Sequence, residues 1–396
     1  MIFRRRTSRL LAVLTAVAAV AGCSGSAADT GPSSGGPLKI GLIWPQSGPY
    51  QAIGADLERG WQLYLDTHGG TLGGRAVEVV TADEAEGRQS ALNAVRKLLD
   101  KDEVTVLVGT GTADAVESIK TIVTERKVPF VGTGGRPSTL TDLSYIWHTS
   151  WLSRETGQAV SEHIRTSVDG PVYAIGPDYV GGHDQIGGFV DAYIAAGGNL
   201  ANEDGEPAWT PWPTTTNFLP YLNRINSSGA KAVYCFYAGT AAVDFVKQYE
   251  QAGLKEKIPL YGAGFLTEGA VLAAQGPSAT GVRTVMNYAA NLDNPANRAF
   301  APAFQSTYQS APNIYAVTGY DAALLLDQAI AAAGPNPTSE SINTAIGGLG
   351  AIDSPRGQWR FGKNHSPIQP WYLREVETDG RVAANVVVQH LTTLGE

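Results

Sequence analysis

The sequence of 396 residues contains only two cysteines, has no excess of basic residues and, beyond its N-terminus, has no run of 18 apolar residues. The last of these absences argues against a membrane-spanning helix in the body of the chain. The 29 Lys and Arg residues stand against 37 Asp and Glu residues, a net charge of −8, so a nucleic-acid partner is not expected because phosphate binding needs a basic face. The six histidines show no metal-ligand spacing, and 43% hydrophobic content excludes disorder.

The first 22 residues have the layout of a secretory signal peptide, with a short basic segment, 12 largely apolar positions at 10–21 and then small residues. The segment VAGC at 20–23 is similar to a bacterial lipobox, in which the cysteine receives a diacylglycerol; the alternative is a cysteine that follows an ordinary signal. Residues 23–37 are almost all small residues or Pro and predict a flexible tether. We therefore expect an extracytoplasmic protein held on the membrane by lipid on Cys23, with Cys235 as a buried thiol.

From residue 38 onward, short apolar runs alternate with segments of helical period. In residues 90–100, for example, Ala91, Val95 and Leu98 recur on one helical face. This alternation predicts an α/β fold with doubly wound parallel sheets. The predicted strands of this first set are 38–43, 77–81, 104–108, 128–131 and 145–149, and the helices are 52–67, 90–100 and 113–125.

A second set of the same units begins at residue 155, so two α/β lobes are expected. The predicted helices are 155–166, 185–196, 218–226, 241–252, 295–308 and 318–333, and the strands are 172–175, 231–237, one near 260 and one at 359–361. Residues 369–376 and 381–388 alternate like an antiparallel hairpin. Because open α/β sheets bind ligands beyond the carboxyl ends of their strands, two facing lobes suggest a receptor that closes on a small molecule.

Local motifs sharpen this expectation. They are IGLIWPQSGPY (40–50), GTLGGR (70–75), VGTGT (108–112), VPFVGT (128–133), FLPYL (218–222), AGL (252–254) and YAVTGYDAA (315–323). In their order and spacing, the chain resembles the leucine/isoleucine/valine-binding protein family, type I periplasmic binding proteins that serve ABC importers. The likeness extends over nearly all of the chain that follows the tether.

The resemblance implies three chain crossovers between the lobes, near residues 148–154, 285–290 and 353–357. Lobe 1 would then comprise residues 38–150 with 288–353, and lobe 2 residues 151–287 with 354–396, joined by a three-strand hinge.

The loop between the strand at 104–108 and the following helix is predicted to bind a ligand carboxylate. Backbone N–H groups and the hydroxyls of Thr110 and Thr112 lie at this helix N-terminus, and the family grips the carboxylate here; the alternative for Thr112 is a plain N-cap. Gly134 and Gly135 lie in the second contact loop of the family, where the backbone approaches the ligand. Arg136 replaces a small hydroxyl residue of the family and is expected either to clamp a carboxylate or to point to solvent at the cleft rim.

Five further ligand contacts are implied by the resemblance. Tyr179 matches a tyrosine that packs over the ligand, and Trp44 and Ile53 belong to the loop that shapes the side-chain pocket. Tyr237 and Ala238 lie at a matching strand end of the second lobe.

The segment GAGF at 262–265 departs from the family, because amino-acid-binding members have a glutamate here that pairs with the ligand ammonium. A buried ammonium without a counter-charge is costly. Either another acid replaces this glutamate, or the ligand has no ammonium. The candidate acids are Asp178, Asp184 and Glu268.

The same departure bears on the ligand class. Phe265, Trp44 and Tyr179 are candidates for an aromatic box, although aromatic residues are also ordinary core residues. The segment NHSPIQ at 364–369 resembles family members associated with the uptake of aromatic acids. A small carboxylate, with aromatic acids included, is therefore favoured over a branched-chain amino acid.

No enzymatic motif has the context that it needs. GPSSG at 31–35 matches G-x-S-x-G only within the tether, and GQWRFGK at 357–363 lacks the Ser or Thr of a phosphate loop. His183 and Asp184 are interpreted as a solvated pair. We therefore predict a monomeric substrate-binding protein, not an enzyme, that takes no cofactor and delivers a small molecule to an ABC permease; the alternative is a ligand sensor that signals through a membrane partner.

Overall fold

The computed structural model of the chain describes residues 36–85, 87–378 and 383–395. The predicted signal peptide, the lipobox with Cys23 and the tether up to residue 35 lie outside these residues, as do positions 381 and 382 of the predicted hairpin. In the part of the chain that is described, no helix combines the length and the hydropathy that a membrane span requires.

Strands and helices alternate along most of the chain. The strands are β1 (Leu38–Trp44), β2 (Thr71–Leu72), β3 (Arg75–Asp83), β4 (Val106–Gly109), β5 (Phe130–Gly132), β6 (Ile146–His148), β7 (Val172–Pro177), β8 (Ala208–Thr210), β9 (Ala232–Cys235), β10 (Leu260–Ala263), β11 (Arg283–Met286), β12 (Ile352–Ser354), β13 (Gly357–Phe361), β14 (Pro367–Thr378) and β15 (Ala383–Leu394). The α-helices are α1 (Gln51–Thr67), α2 (Arg88–Asp100), α3 (Ala113–Arg126), α4 (Glu155–Ser167), α5 (Val180–Ala195), α6 (Leu219–Ser227), α7 (Gly239–Gln251), α8 (Ala270–Gln275), α9 (Pro295–Tyr308), α10 (Ile314–Ala332) and α11 (Ser339–Gly348).

The first sheet has the strand order β2-β3-β1-β4-β5-β6 among the described residues. All neighbours except β2 and β3 pair in parallel, and Leu42 in β1 lies between Thr81 of β3 and Val108 of β4. Residues on both faces of β1 are buried, because helices cover this sheet on each side.

The second sheet has the order β12-β13-β14-β11-β10-β9-β7-β8 among the described residues, with β15 on β14. Strands β7 to β11 pair in parallel, whereas β14 pairs antiparallel with both β11 and β15. The predicted terminal hairpin is therefore confirmed. So is the α/β fold class, with parallel-dominated sheets in two lobes. Cys235 is a buried thiol at the end of β9.

Helix α1 packs along α10 beside the first sheet, and glycine makes this close packing possible. A side-chain carbon on Gly60 would overlap the backbone of Ala316, and one on Gly319 would overlap the carbonyl oxygen of Leu57. In the first turns of α10, residues 314–319 are all buried, which is typical of a helix that enters the core. This packing brings the N-termini of α1 and α10 to the same region as the carboxyl ends of the strands.

Hydrogen bonds join the three segments that were predicted as crossovers. Buried Arg356 donates to the carbonyl oxygens of Thr149 and Ser150 and pairs with Asp321 at 3.1 Å. Gln369 also donates to the Ser150 carbonyl, at 2.9 Å, and accepts from Asn287. These bonds restrain the segments against one another.

Two predicted helices begin earlier in the structure than the sequence pattern indicated. Helix α5 begins at Val180 rather than at residue 185. The prediction was late because Gly181 and Gly182 weaken the helical pattern. Glycine is needed at position 182 because a side-chain carbon there would overlap the carbonyl oxygen of Pro177. Helix α10 begins four residues earlier than predicted, after Asn313, whose side chain accepts from the Ala316 N–H. The sequence analysis did not identify β2, β8, β11, β12, α8 or α11.

Candidate functional site

A cavity lies between the carboxyl ends of strands from both sheets. Its empty volume of about 390 Å³ includes space that is open to solvent. Loops after β4, β5 and β6 line it from the first sheet, and loops after β7, β9 and β10 from the second, together with the first turns of α1 and α10. The lining residues are Tyr50, Ile53, Gly111, Thr112, Ala113, Gly135, Trp151, Ser153, Tyr179, Gly181, Gln185, Phe236, Ala238, Phe265 and Tyr315.

Aromatic side chains dominate the wall of this cavity, and Phe265 is at their centre. Its ring lies 5.1 Å from the ring of Trp151, 5.5 Å edge-on from that of Phe236 and 6.1 Å from that of Tyr315. Tyr179 and Tyr50 complete the set of six aromatic residues among the described lining residues. Flat walls of this kind suit a flat apolar ligand, because offset and edge-on ring contacts add to the burial of apolar area.

The loop that was predicted to grip a carboxylate is occupied by a side chain of the protein itself. The carboxylate of Glu84, which follows β3, accepts hydrogen bonds from the N–H groups of Gly111 at 2.5 Å and Thr112 at 3.1 Å, and from the Thr112 hydroxyl at 2.6 Å. Burial raises the pKa of Glu84 to about 7, and these three hydrogen bonds oppose the shift. The sequence analysis missed Glu84, although an acid directly after a sheet strand is a recognisable signal.

Thr112 has the N-cap role that was its alternative interpretation. Its hydroxyl accepts from the Ala115 N–H at 3.2 Å, the usual capping geometry. The next residue, Ala113, is the first residue of α3 and lines the cavity, and an N–H at this position has no acceptor within the helix. Ala113 therefore brings to the cavity wall a backbone N–H that the helix itself does not satisfy.

Two further donors converge near Gly135. The indole Nε1 of Trp151 is buried and has no hydrogen-bond partner among the described residues. A side-chain carbon on Gly135 would lie 2.6 Å from the Ser153 hydroxyl and 3.2 Å from this Nε1. Gly135 thus lies directly beside both groups, and a side chain at this position would collide with them.

No charged side chain lines the cavity within the described part of the chain. The three acids considered as partners of a ligand ammonium are engaged elsewhere. Asp178 contacts His183 at 2.8 Å, Asp184 accepts from the Ser138 N–H at 2.8 Å, and Glu268 pairs with Arg374 at 2.8 Å. The His183–Asp178 pair is half exposed, and Asp184 has no contact with His183 that would form the considered pair. The described residues also contain no cluster of His, Cys, Asp or Glu that could hold a metal ion.

Six of the eleven predicted ligand contacts lie on the cavity wall. Their contact with a ligand stays a prediction. They are Ile53, Thr112, Gly135, Tyr179, Ala238 and Phe265.

Two aromatic residues were expected at the cleft and lie elsewhere. Trp44 is fully buried in the core at the end of β1, so the expected aromatic box does not include it. Tyr237 packs between Phe218 and Phe245, at 5.0 and 4.7 Å, on the other side of the sheet. Its neighbour Phe236 faces the cavity instead, because successive side chains of an extended segment point in opposite directions.

The remaining three predicted contacts lie behind the wall. Thr110 is fully buried, and its hydroxyl donates to the Thr112 carbonyl at 3.4 Å. Gly134 packs closely on the Thr110 backbone, since a side-chain carbon added to Gly134 would lie 2.6 Å from the Thr110 carbonyl oxygen. Arg136 is 4% exposed, which contradicts a position in solvent at the rim, and it does not line the cavity. Burial lowers its pKa, and the nearby charges of Glu155 and Asp184 oppose this shift.

Nine lining residues were missed. Several follow strand ends directly, which is the signal that would have found them. They are Tyr50, Gly111, Ala113, Trp151, Ser153, Gly181, Gln185, Phe236 and Tyr315.

The periplasmic binding protein family model matches residues 37–381, most of the chain. The chain therefore belongs to the periplasmic binding protein family, as its motifs predicted, and this membership implies a location outside the cytoplasm. It is similar to the Leu/Ile/Val-binding protein homolog 6 of Brucella melitensis biotype 1, with 30% identity over 347 residues, 86% of this chain and 87% of that protein.

Two solved structures of solute-binding proteins of ABC transporters from R. palustris share this fold. One is in complex with benzoate; it is 30% identical, with a TM-score of 0.85, and the match covers 91% of this chain and 98% of that one. The other is in complex with 4-hydroxybenzoate, is 26% identical and has a TM-score of 0.82, with 90% and 98% covered. These likenesses confirm the predicted type I periplasmic binding protein fold.

Proposed function

We propose that this chain is the substrate-binding lipoprotein of an ABC importer and that it captures a small aromatic carboxylate between its lobes for delivery to the permease. The observation that carries the ligand class is the cavity with six aromatic side chains and no charged side chain on its described wall. The complex of the R. palustris relative with benzoate supports the same class.

The proposed binding mode follows from the distribution of donors and rings. The aromatic ring of the ligand lies among Phe265, Phe236 and Tyr179, where it loses water-exposed apolar area. Its carboxylate accepts hydrogen bonds from the Ala113 N–H, the Trp151 indole and the Ser153 hydroxyl. Closure of the lobes then buries the ligand, and no bond is made or broken.

A branched-chain amino acid is the second candidate, because the Brucella relatives are named as Leu/Ile/Val-binding protein homologs. Its ammonium would need a buried counter-charge. Glu84 lies behind the wall, but its oxygens already accept three hydrogen bonds. The amino acid is therefore disfavoured.

A ligand panel tests this function. Benzoate, 4-hydroxybenzoate, cyclohexanecarboxylate, leucine and isoleucine are titrated into the purified protein by calorimetry, with thermal shift as a second readout. We expect benzoates to bind, cyclohexanecarboxylate to bind more weakly, and the amino acids to give no signal. Binding of leucine or isoleucine alone would overturn the aromatic assignment.

A matched pair of variants places the ligand in the cavity. Phe265→Leu removes the central ring, and we expect it to weaken benzoate binding by about tenfold, in line with the loss of an aromatic contact of about 1–1.5 kcal/mol. Phe300→Leu changes the same residue type on the buried face of α9, away from the cavity lining, and should leave binding unchanged. Equal effects of the two variants would argue against this cavity as the binding site.

The lobe boundaries, the monomeric state and the lipid anchor belong to the same proposal. Residues 38–150 with 288–353 would form lobe 1 and residues 151–287 with 354–396 lobe 2, which is consistent with the packing of α10 on α1.

Cys23→Ser should release the protein from the membrane fraction of the producing cell without changing benzoate affinity. Retention of this variant on the membrane would contradict lipidation at Cys23, and a dimer in sedimentation analysis would contradict the monomer.

A further inference from the structure

Glu84 is a fully buried carboxylate directly behind the cavity wall. Among the described residues, its carboxylate accepts three hydrogen bonds, which come from Gly111 and Thr112, and both of these residues line the cavity. The Glu84 side chain thus reaches the site through one layer of backbone.

The hydroxyl of Thr112 couples this carboxylate to the cavity. The hydroxyl has one hydrogen, which it donates to Glu84 Oε1 at 2.6 Å, and one of its lone pairs accepts the Ala115 N–H. While Glu84 is ionised, Thr112 therefore has no hydrogen left to donate to a ligand. If Oε1 carries a proton, it can donate that proton to the second lone pair of the Thr112 oxygen, and the Thr112 hydrogen is released to point into the cavity.

The charges around Glu84 do not neutralise it. Among the described residues, Glu84 interacts electrostatically with Asp83 beside it on the chain and with the phenol of Tyr50, which precedes α1, and neither group is cationic. Asp114 in the first turn of α3 pairs with Arg88 of α2 at 3.0 Å, so this cation is already engaged. A carboxylate ligand would bring a second negative charge close to Glu84 in a medium of low dielectric constant, where like charges repel strongly.

On the basis of the proposed function, we propose that Glu84 and Thr112 form a proton-linked switch that adapts the site to an anionic ligand. When a carboxylate binds, Glu84 takes up one proton from solvent on Oε1 and donates it to the Thr112 oxygen. The Thr112 hydroxyl turns from Glu84 to the ligand and donates to its carboxylate. No covalent bond of the ligand changes, and the net reaction is the uptake of a ligand anion with a proton.

The position of this equilibrium suits neutral pH. Because burial raises the pKa of Glu84 to about 7, the carboxyl group is close to half protonated before the ligand arrives. A nearby ligand anion raises this pKa further. We therefore expect benzoate affinity to increase as pH falls. Above pH 7 the increase should be up to about tenfold per pH unit, and below the pKa of Glu84 in the unliganded protein the affinity should level off.

Calorimetry with two ligands of the same shape tests the switch. Benzoate and neutral benzamide are titrated into the protein at pH 6 and pH 8, in buffers of different ionisation enthalpy, so that the number of protons taken up per ligand is measured. We expect close to one proton per benzoate at pH 8, fewer at pH 6, and none for benzamide.

Variants of two acids on the same stretch of chain make the test specific. Glu84→Gln keeps the shape of the side chain: its amide can donate to the Thr112 oxygen while its carbonyl accepts from Gly111, and only the hydrogen bond from the Thr112 N–H is lost. It should bind benzoate without proton uptake and without a pH dependence between 6 and 8. Glu78→Gln removes an exposed acid of β3 and should behave like the wild type. Thr112→Ser, which retains the hydroxyl, should keep the coupling, and Thr112→Val should lose it.

The outcomes separate this switch from the proposed function. Benzoate binding without proton uptake by the wild-type protein, or with uptake that persists in Glu84→Gln, would overturn the switch and leave the function intact. If Glu84→Gln does not fold, the comparison of benzoate with benzamide on the wild type still decides. Failure of every acid to bind at either pH would overturn both.

Discussion

The indole N–H of Trp212 donates a hydrogen bond of 3.2 Å to the hydroxyl of Tyr50. Tyr50 precedes α1 beside the first sheet, and Trp212 follows β8 of the second sheet, so this bond crosses the cleft. The Tyr50 hydroxyl in turn donates to Tyr179 at 3.4 Å, and the rings of Tyr179 and Trp212 stack with centroids 4.7 Å apart. Neutral hydrogen bonds and stacking thus hold the lobes together on one side of the cavity.

We predict that Trp212→Phe speeds the release of benzoate. Phenylalanine retains most of the stacking on Tyr179 but cannot donate to Tyr50, and the loss of about 1 kcal/mol from the closed state corresponds to roughly fivefold faster dissociation. Stopped-flow displacement measures the rate. Trp209→Phe is the control, since Trp209 contacts His183 outside the cavity wall. An unchanged rate for Trp212→Phe would show that this contact does not retain the ligand.

Gly135→Ala should weaken benzoate binding while the fold is kept. The added carbon would lie 2.6 Å from the Ser153 hydroxyl and 3.2 Å from Trp151 Nε1, so it displaces the donors that are proposed to bind the carboxylate. The loss of one or two such hydrogen bonds corresponds to about tenfold or more in Kd, measured by calorimetry. Gly187→Ala, in an open position of α5, should bind normally and gain up to about 1 kcal/mol of stability. Normal binding by Gly135→Ala would exclude this corner of the cavity as the carboxylate site.

The stability of the unliganded protein should fall as pH rises through Glu84's titration. The pKa of Glu84 is about 7 in the folded protein and near 4.5 when unfolded, so between these values the folded state binds more protons. The free energy of unfolding should therefore decrease from pH 4.5 to above pH 7, by roughly 3 kcal/mol at most. In Glu84→Gln this part of the pH dependence should be absent, as measured by urea unfolding at several pH values. Parallel curves for the two proteins would contradict the assignment.

The buried pair of Arg356 and Asp321 predicts a large, asymmetric response to mutation. Arg356→Met leaves the Asp321 carboxylate buried without its cation, and we expect a loss of about 3–5 kcal/mol in urea unfolding. Asp321→Asn should cost less, because Arg356 still donates to the Thr149 and Ser150 carbonyls. Burial raises the pKa of Asp321 to about 6, and the charge of Arg356 opposes this shift. Below this pH Asp321 becomes protonated, so the ion pair with Arg356 weakens.

A surface pair provides the reference for this measurement. Arg298→Met breaks an exposed contact with Asp293 and should change stability by less than about 0.5 kcal/mol. If Arg356→Met were equally mild, the hydrogen bonds of Arg356 to the Thr149 and Ser150 carbonyls would contribute little to the native state.

Much of the fold followed from local pattern. The helix at α2 was predictable because its buried residues Ala91, Val95 and Leu98 recur at helical spacing. The parallel strand β4 was predictable because a short apolar run between two helical segments is typical of a sheet buried on both faces. Family membership followed from motif order alone, without contacts between distant residues.

The detailed site could not be read in the same way. Whether Phe236 or Tyr237 faces the cavity depends on where β9 ends against its neighbours, and a shift of one residue reverses the side that each ring faces. The donors of Gly111 and Thr112 were assigned to a ligand because their acceptor, Glu84, lies 28 residues away from Thr112 in the chain. Trp151 and Ser153 follow a short strand with no motif of their own, and only the approach of Gly135 makes them neighbours.

Residue order was thus sufficient for the α/β architecture, the two lobes and the family, because the period of apolar residues and the turns between elements are local properties of a chain. Tertiary packing decided which donors remain available to a ligand, which acid lies behind the cavity wall and which aromatic rings meet. Those properties depend on backbone segments from distant positions coming within hydrogen-bonding distance, and no local pattern encodes that distance.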